Sequence, residues 1–248
     1  MRLLFFLLAL YPFCLAAETE SATGSLRSVF PEERAKLLAD VLPLDKQVRW
    51  KLYRPKRDTA SGVMVFVSPT DSGEPQPDWV DVVERQNLIW IAAEDFGNSV
   101  PSVQRVLVAL MGLALVQKTS QVDAERIYIA GMSGGGRIAS QTITKFPQLF
   151  TGAIYIVGVD FWTSAEQSLI EHIAANRYVF LTGSDDFNLQ ETKRIHKKYR
   201  HAGVDQTLLM NLRHFGHEYP DAEQLNRAIE FLDTGLRKKR SASLKRSG

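Results

Sequence analysis

The stretch RIYIAGMSGGGRIASQTITKFP, Arg126 to Pro147, decides the fold. It opens with RIYIA, an apolar run of strand length and strand composition. Gly131-Met132-Ser133-Gly134-Gly135 follows, and a helical pattern then runs from Gly134 to Phe146. A single serine between glycines, where a buried strand meets a helix, has a steric explanation. A very sharp strand-to-helix turn strains the central residue and brings strand and helix so close that flanking side chains collide. Glycine at 131 and 135 removes those side chains. The helix then points its N-terminal amides at the serine, where a negative oxygen would develop during acyl transfer. Ser133 is read as an exposed nucleophile. The overlapping run Gly134 to Ala139 also matches G-x-G-x-x-A, with Asp160 after the next strand. A dinucleotide fingerprint belongs in the first strand-helix unit, whereas this one stands mid-chain.

Apolar segments of strand length recur on both sides: VRWKLYRP (48–55), GVMVFVS (62–68), LIWIAA (88–93), AIYIV (153–157), YVFLTG (178–183) and TLLMNL (207–212). Several are nearly continuous in apolar residues, as parallel strands buried on both faces should be. Helical patterns fall between them, at Asp78–Gln86, Pro101–Lys118, Gly134–Phe146, Ser164–Asn176, Gln190–His201 and Asp221–Leu236. A further helix starts at Pro31 in PEERAKLLADVL. Strand-helix alternation of this kind predicts an α/β fold, a mostly parallel sheet with helices on both faces. No internal repeat or inter-domain linker interrupts it, so residues 29–236 are expected to form one domain.

Ser133 needs a base, and the base needs an orienting carboxylate. In such a sheet the partners follow in the order acid, then histidine, each in a loop after a later strand. YVFLTGSDDFN offers Asp185 and Asp186, and TLLMNLRHFGHEYP offers His214 and His217. His172, His196 and His201 fall within helical patterns. His217, in a loop after Gly216, is the favoured base, with His214 nearer the strand end as the alternative. Asp160, after AIYIVGV, is an alternative acid or a substrate-positioning group, and Phe161 and Trp162 beside it could form an apolar substrate wall.

With this order the chain resembles the α/β-hydrolase superfamily, and more narrowly the bacterial esterases grouped with polyhydroxybutyrate depolymerases and feruloyl esterases. The likeness runs from about Gly62 to Leu236 and is strongest in IYIAGMSGGGRIAS and FPQLFTGAI, supported by TGSDDFN and GHEYP. It implies a serine esterase that forms an acyl-enzyme and needs neither metal nor cofactor. A G-x-x-D acid loop counted from Gly183 implies Asp186 as the acid, completing Ser133, Asp186 and His217. The oxyanion hole would take the Gly134 N–H and one from the loop after GVMVFVS. That loop departs from the usual His-Gly start: it reads Ser68-Pro69-Thr70-Asp71, and because Pro69 has no N–H, Thr70 is the expected second donor, with Ser68 or a later amide as the alternative. The chain leaves little room for a lid, so the site is expected to be open, bordered by DFGNSVP and VDFWTS. A small-molecule or polymer-derived ester is the expected substrate. A peptidase or acyltransferase using the same residues is the runner-up, and a catalytically silent binding protein is the rival from another class.

The ends carry separate information. Residues 1–17, MRLLFFLLALYPFCLAA, have the charged start, short apolar block and small-residue finish of a signal peptide, too short to span a bilayer. The expected location is secreted or periplasmic. Cys14, the only cysteine, lies within that leader. Residues 18–28 read as a linker and 237–248, RKKRSASLKRSG, as a disordered basic tail suited to an anionic envelope surface. The tail holds six of the 30 Lys and Arg; apart from it and Arg2, 23 Lys and Arg face 28 Asp and Glu. The folded part is therefore mildly acidic, which argues against nucleic acid as a partner.

Overall fold

The computed structural model describes residues 19–57, 59–162 and 167–244, with residues 167 and 235–244 described by backbone only. The strands are β1 (Glu20–Gly24), β2 (Val48–Tyr53), β3 (Ser61–Val67), β4 (Leu88–Ala93), β5 (Val122–Met132), β6 (Gly152–Ile156), β7 (Arg177–Gly183) and β8 (Thr207–Leu212). They form one sheet in the order β1-β2-β4-β3-β5-β6-β7-β8. From β4 across to β8 all pairings are parallel, while β1 and β2 add an antiparallel flank. The helices are α1 (Leu26–Val29), α2 (Glu32–Leu37), α3 (Trp79–Arg85), α4 (Ser102–Thr119), α5 (Gly134–Lys145), α6 (Gln167–Ala175), α7 (Leu189–His201) and α8 (Ala222–Leu244).

Successive side chains of a strand point to opposite faces, and both faces here are covered. In β5, Ile127 and Ile129 enter a core shared with α1, α4, α5, α6 and α7. Tyr128, Ala130 and Met132 enter the opposite core, shared with α3 and α8. This double burial is why the strands lack polar alternation. α8 is locked to the sheet by one buried polar cluster: Asp233 accepts from Tyr128 Oη at 2.5 Å and from Arg126 Nε and Nη2, each at 2.9 Å. Arg126 Nη2 also donates to the Gln86 carbonyl at 2.9 Å, which ties in the end of α3. Burial, with Asp233 beside it, holds the Tyr128 phenol well above its ordinary range.

Three expectations change. The stretch read as a linker, 18–28, contains β1 and α1. β1 pairs with β2 from Glu20↔Leu52 to Gly24↔Val48, and α1 is closed by a capping box in which the Ser25 N–H donates to Ser28 Oγ at 2.8 Å. β1 is an edge strand of small and polar residues with only Gly24 buried, so it carries no apolar signature. α2 stops at Leu37, short of the expected run to Leu42, and turns follow. α8 continues to Leu244, into the stretch expected to be a disordered tail; Lys, Arg, Ala and Leu there are good helix formers. The signal-peptide residues 1–17, the helix start at 164–166 and residues 245–248 lie outside the described residues. Among the described residues no helix is long and apolar enough to cross a membrane.

Candidate active site

The chain leaves β3 for β4 on one side, and the next strand, β5, lies on the other side of β3. The ends of β3 and β5 therefore border the crevice where ligands bind in sheets of this kind. Ser133 follows β5 directly and caps α5, with φ 53° and ψ −121°. Its N–H donates to the Ile156 carbonyl at 2.8 Å, which fixes the turn against β6. A Cβ at Gly135 would fall on the Val67 carbonyl, and one at Gly131 on the Gly135 carbonyl. No residue with a side chain fits at either place.

Ser133, His217 and Asp186 come together across three loops. His217 Nε2 lies 2.8 Å from Ser133 Oγ, and Nδ1 lies 2.9 Å from Asp186 Oδ1. Asp186, after β7, has a fully buried side chain, while His217, between β8 and α8, is 22% exposed. Asp186 Oδ1 also accepts the Asn188 N–H at 3.1 Å, and Oδ2 accepts from Thr182 Oγ1 at 2.7 Å. An ionised carboxylate only accepts, so Nδ1 carries the proton and Nε2 presents a lone pair to the serine hydroxyl. The acid and histidine loops are laced together: Ser184 N–H to Leu212 O at 2.9 Å, Asp185 N–H to Phe215 O at 3.1 Å, and His214 N–H to Ser184 Oγ at 2.8 Å. Asn188 braces them from below, its Nδ2 donating to the Val157 carbonyl at 2.7 Å.

The alternatives lie elsewhere. Asp185 is exposed and accepts from Ser184 Oγ at 2.9 Å. His214 is exposed, with φ 54°. Asp160 is held by Arg137 Nη1 at 2.9 Å and Gln141 Nε2 at 2.7 Å, and Arg137 also pairs with Glu191. This network ties the loop after β6 to α5 and α7. Phe161 and Trp162 follow it: they stack on each other at 4.1 Å and pack edge-on against buried Tyr199. With Asp160 they line a cavity of about 630 Å³ together with Thr144, Lys145 and Lys198, and no residue of the Ser133 cluster lines it. The expected substrate wall thus lines a cavity that Ser133, Asp186 and His217 do not. The ring at the site is Phe187, 76% exposed and stacked on the His217 imidazole at 4.1 Å. Its only sequence signal is its place immediately after Asp186.

The two expected oxyanion donors differ in how they are engaged. Gly134 begins α5 beside the nucleophile. The Thr70 N–H, however, donates to Ser68 Oγ at 3.2 Å. The loop after β4 lies over this segment, with the Asn98 N–H on the Pro69 carbonyl at 2.9 Å. Beneath both sits Arg105, 5% exposed, donating to Ser68 O at 2.8 Å and to Asn98 Oδ1 at 3.0 Å. Among the described residues no group of three or more His, Cys, Asp or Glu is placed to hold a metal ion.

A family model described as the prolyl oligopeptidase family matches residues 109–201, a span that includes Ser133 and Asp186 but ends before His217. No curated protein matches the chain by sequence. Among solved structures, a ferulic acid esterase superposes with a TM-score of 0.61 at 16% identity, covering 87% of this chain and 98% of the other. The S-formylglutathione hydrolase of Staphylococcus aureus gives 0.61 at 12%, covering 87% and 97%. A fungal esterase from Rhizomucor miehei gives 0.63 at 13%, covering 93% and 87%. Likeness over whole chains at such low identity is a likeness of architecture. The strand order, the turn at Ser133 and these superpositions together give the chain an α/β-hydrolase fold.

Proposed function

We propose that the protein is an exported serine hydrolase that cleaves carboxylic esters through an acyl-enzyme. The observation that carries this reading is the bridging imidazole, 2.8 Å from Ser133 Oγ and 2.9 Å from Asp186. In the proposed cycle Ser133 Oγ attacks the ester carbonyl while His217 Nε2 takes its proton. The carbonyl oxygen becomes an oxyanion facing the Gly134 N–H at the positive end of α5. Asp186 stabilises the imidazolium, which protonates the departing alcohol as the carbon–oxygen bond breaks. Water then attacks the acyl-enzyme with His217 again as base, releasing the acid and restoring the serine. Phe187, beside the imidazole and open to solvent, supports an apolar or aromatic group near the scissile bond. The leader-like residues 1–17 support export, and the basic end supports contact with an anionic envelope surface.

The match to the prolyl oligopeptidase family favours a second reading, a peptidase using the same residues. Purified mature protein assayed on short-chain, hydroxycinnamate and sugar esters, and on prolyl arylamides, separates the two. Ester turnover that disappears in Ser133→Ala, with fluorophosphonate labelling lost in the same variant, is the expected result. Faster cleavage of the arylamides would favour the peptidase. An unlabelled wild-type Ser133 would make the fold a silent binding protein.

A further inference from the structure

An oxyanion is held best by two donors, and the loop after β3 is badly placed to give the second. Pro69 has no N–H, and the Thr70 N–H is engaged by Ser68 Oγ. Asn98 stands beside the one clear donor, Gly134. A Cβ on Gly134 would fall on Asn98 Oδ1 and come within 2.8 Å of Cγ and 3.0 Å of Nδ2. The carboxamide therefore lies directly against the Cα of Gly134, next to the N–H that faces the reacting carbonyl.

The orientation of that carboxamide is fixed by chemistry. Arg105 Nη1 meets its oxygen at 3.0 Å. A guanidinium offers donors and no acceptor, so Asn98 must turn Oδ1 to Arg105 and its NH₂ away from it. Arg105 is buried, and its second contact, to the Ser68 carbonyl at 2.8 Å, fixes it relative to β3. The Asn98 backbone is pinned by its N–H on Pro69 O. Asn98 itself is exposed, and its Nδ2, which Arg105 does not engage, lies within 3.0 Å of the place a Gly134 Cβ would take. A buried cation on the oxygen also polarises the amide and strengthens its N–H as a donor.

We propose that the Asn98 side-chain amide is the second oxyanion donor, paired with the Gly134 N–H, and that Arg105 is the positioning residue that holds it; this rests on the serine-hydrolase reading above. It also assigns a reason to glycine at 134, because a methyl group there would push the carboxamide out of place.

The test measures kcat and KM on an activated ester for wild type, Ser133→Ala, Asn98→Ala, Asn98→Asp, Gly134→Ala and the double variant N98A/G134A. Loss of one oxyanion donor lowers kcat by about 10²–10³-fold. Asn98→Ala is expected in that range with KM nearly unchanged; it also leaves the buried Arg105 Nη1 without this acceptor, so its melting temperature falls while the variant still folds. Asn98→Asp keeps the shape and improves the pairing with Arg105, so a merely structural role would survive it; as a lost donor that also sets a carboxylate beside the oxyanion, it is expected to be at least as slow as Asn98→Ala. Gly134→Ala is expected to be slow alone and to add less than about threefold in the Asn98→Ala background, since residues in contact are not additive. Full kcat in Asn98→Ala or Asn98→Asp, or simple additivity with Gly134→Ala, overturns the assignment while the hydrolase reading stands. A wild type no faster than Ser133→Ala on any ester overturns both.

Discussion

Replacing Asp186 with asparagine removes a charge and almost no volume, and the hydrogen bonds around it set how much activity survives. The carboxylate meets three donors: His217 Nδ1 and the Asn188 N–H on Oδ1, and Thr182 Oγ1 on Oδ2. Asparagine offers one oxygen and one NH₂. The Asn188 N–H cannot turn, so the oxygen must stay where Oδ1 was, and the NH₂ falls opposite the Thr182 hydroxyl, which can rotate to accept. His217 keeps an acceptor for its Nδ1–H and remains in the tautomer that opens Nε2 to Ser133. Only the charge is lost. A hydrogen bond to a charged group contributes about 1.5–3 kcal/mol net. At about 1.36 kcal/mol per tenfold, kcat should fall between about tenfold and two-hundredfold. The wrong tautomer would cost on the order of ten-thousandfold. Steady-state hydrolysis of an activated ester, normalised by fluorophosphonate titration of active serines, distinguishes the two. A ten-thousandfold loss would refute the anchoring by Asn188, and an unchanged kcat would remove Asp186 from the chemistry.

Phe187→Ala removes an exposed ring stacked on His217. It should leave the melting temperature alone and raise KM for aryl esters by up to about tenfold, as an aromatic pair is worth about 0.5–1.5 kcal/mol; equal effects on acetyl and aryl esters would count against a binding role. Asp233→Ala strands Tyr128 and Arg126 in the core. Breaking a buried pair from one side costs about 3–5 kcal/mol, measurable by urea unfolding, and a loss below about 1 kcal/mol would show that the cluster is solvated. Burial, assisted by Arg200, lowers the pKa of His196. The unfolded chain then takes up this proton first, so the stability is complete above the unfolded value of about 6.5 and is lost as pH falls through the lower folded value. Melting curves from pH 8 to 5 should fall more steeply for wild type than for His196→Gln; parallel curves would rule this linkage out.

The sheet was legible because segments such as LIWIAA and AIYIV are buried on both faces and leave nothing polar to confuse the pattern. Ser133 was legible for a different reason: its glycines are demanded by backbone atoms that touch them, a constraint written in adjacent residues. Asp186 and His217, which the fold brings beside Ser133, stood out because each lies in the loop that follows one of the last strands. β1 was hidden, since an edge strand with one buried residue has no need of apolar side chains. The direction of the loop at Phe161 and Trp162 was hidden too, because it depends on Arg137 reaching Asp160 from α5. Phe187 is marked only by its place after Asp186, and Asn98 meets Gly134 through a contact between separate loops that no local spacing encodes.

Ser133 has a further consequence for the stability of the fold. Its backbone angles, φ 53° and ψ −121°, lie in a region where only glycine is comfortable. Holding another residue there costs about 1–3 kcal/mol. Against a typical folding free energy of about 5–15 kcal/mol, that is a substantial share. Heat resistance and chemistry therefore pull in opposite directions at one position. Selection for survival on heating alone, with turnover unscreened, should return glycine at 133: a hardier chain without the hydroxyl on which the proposed chemistry depends.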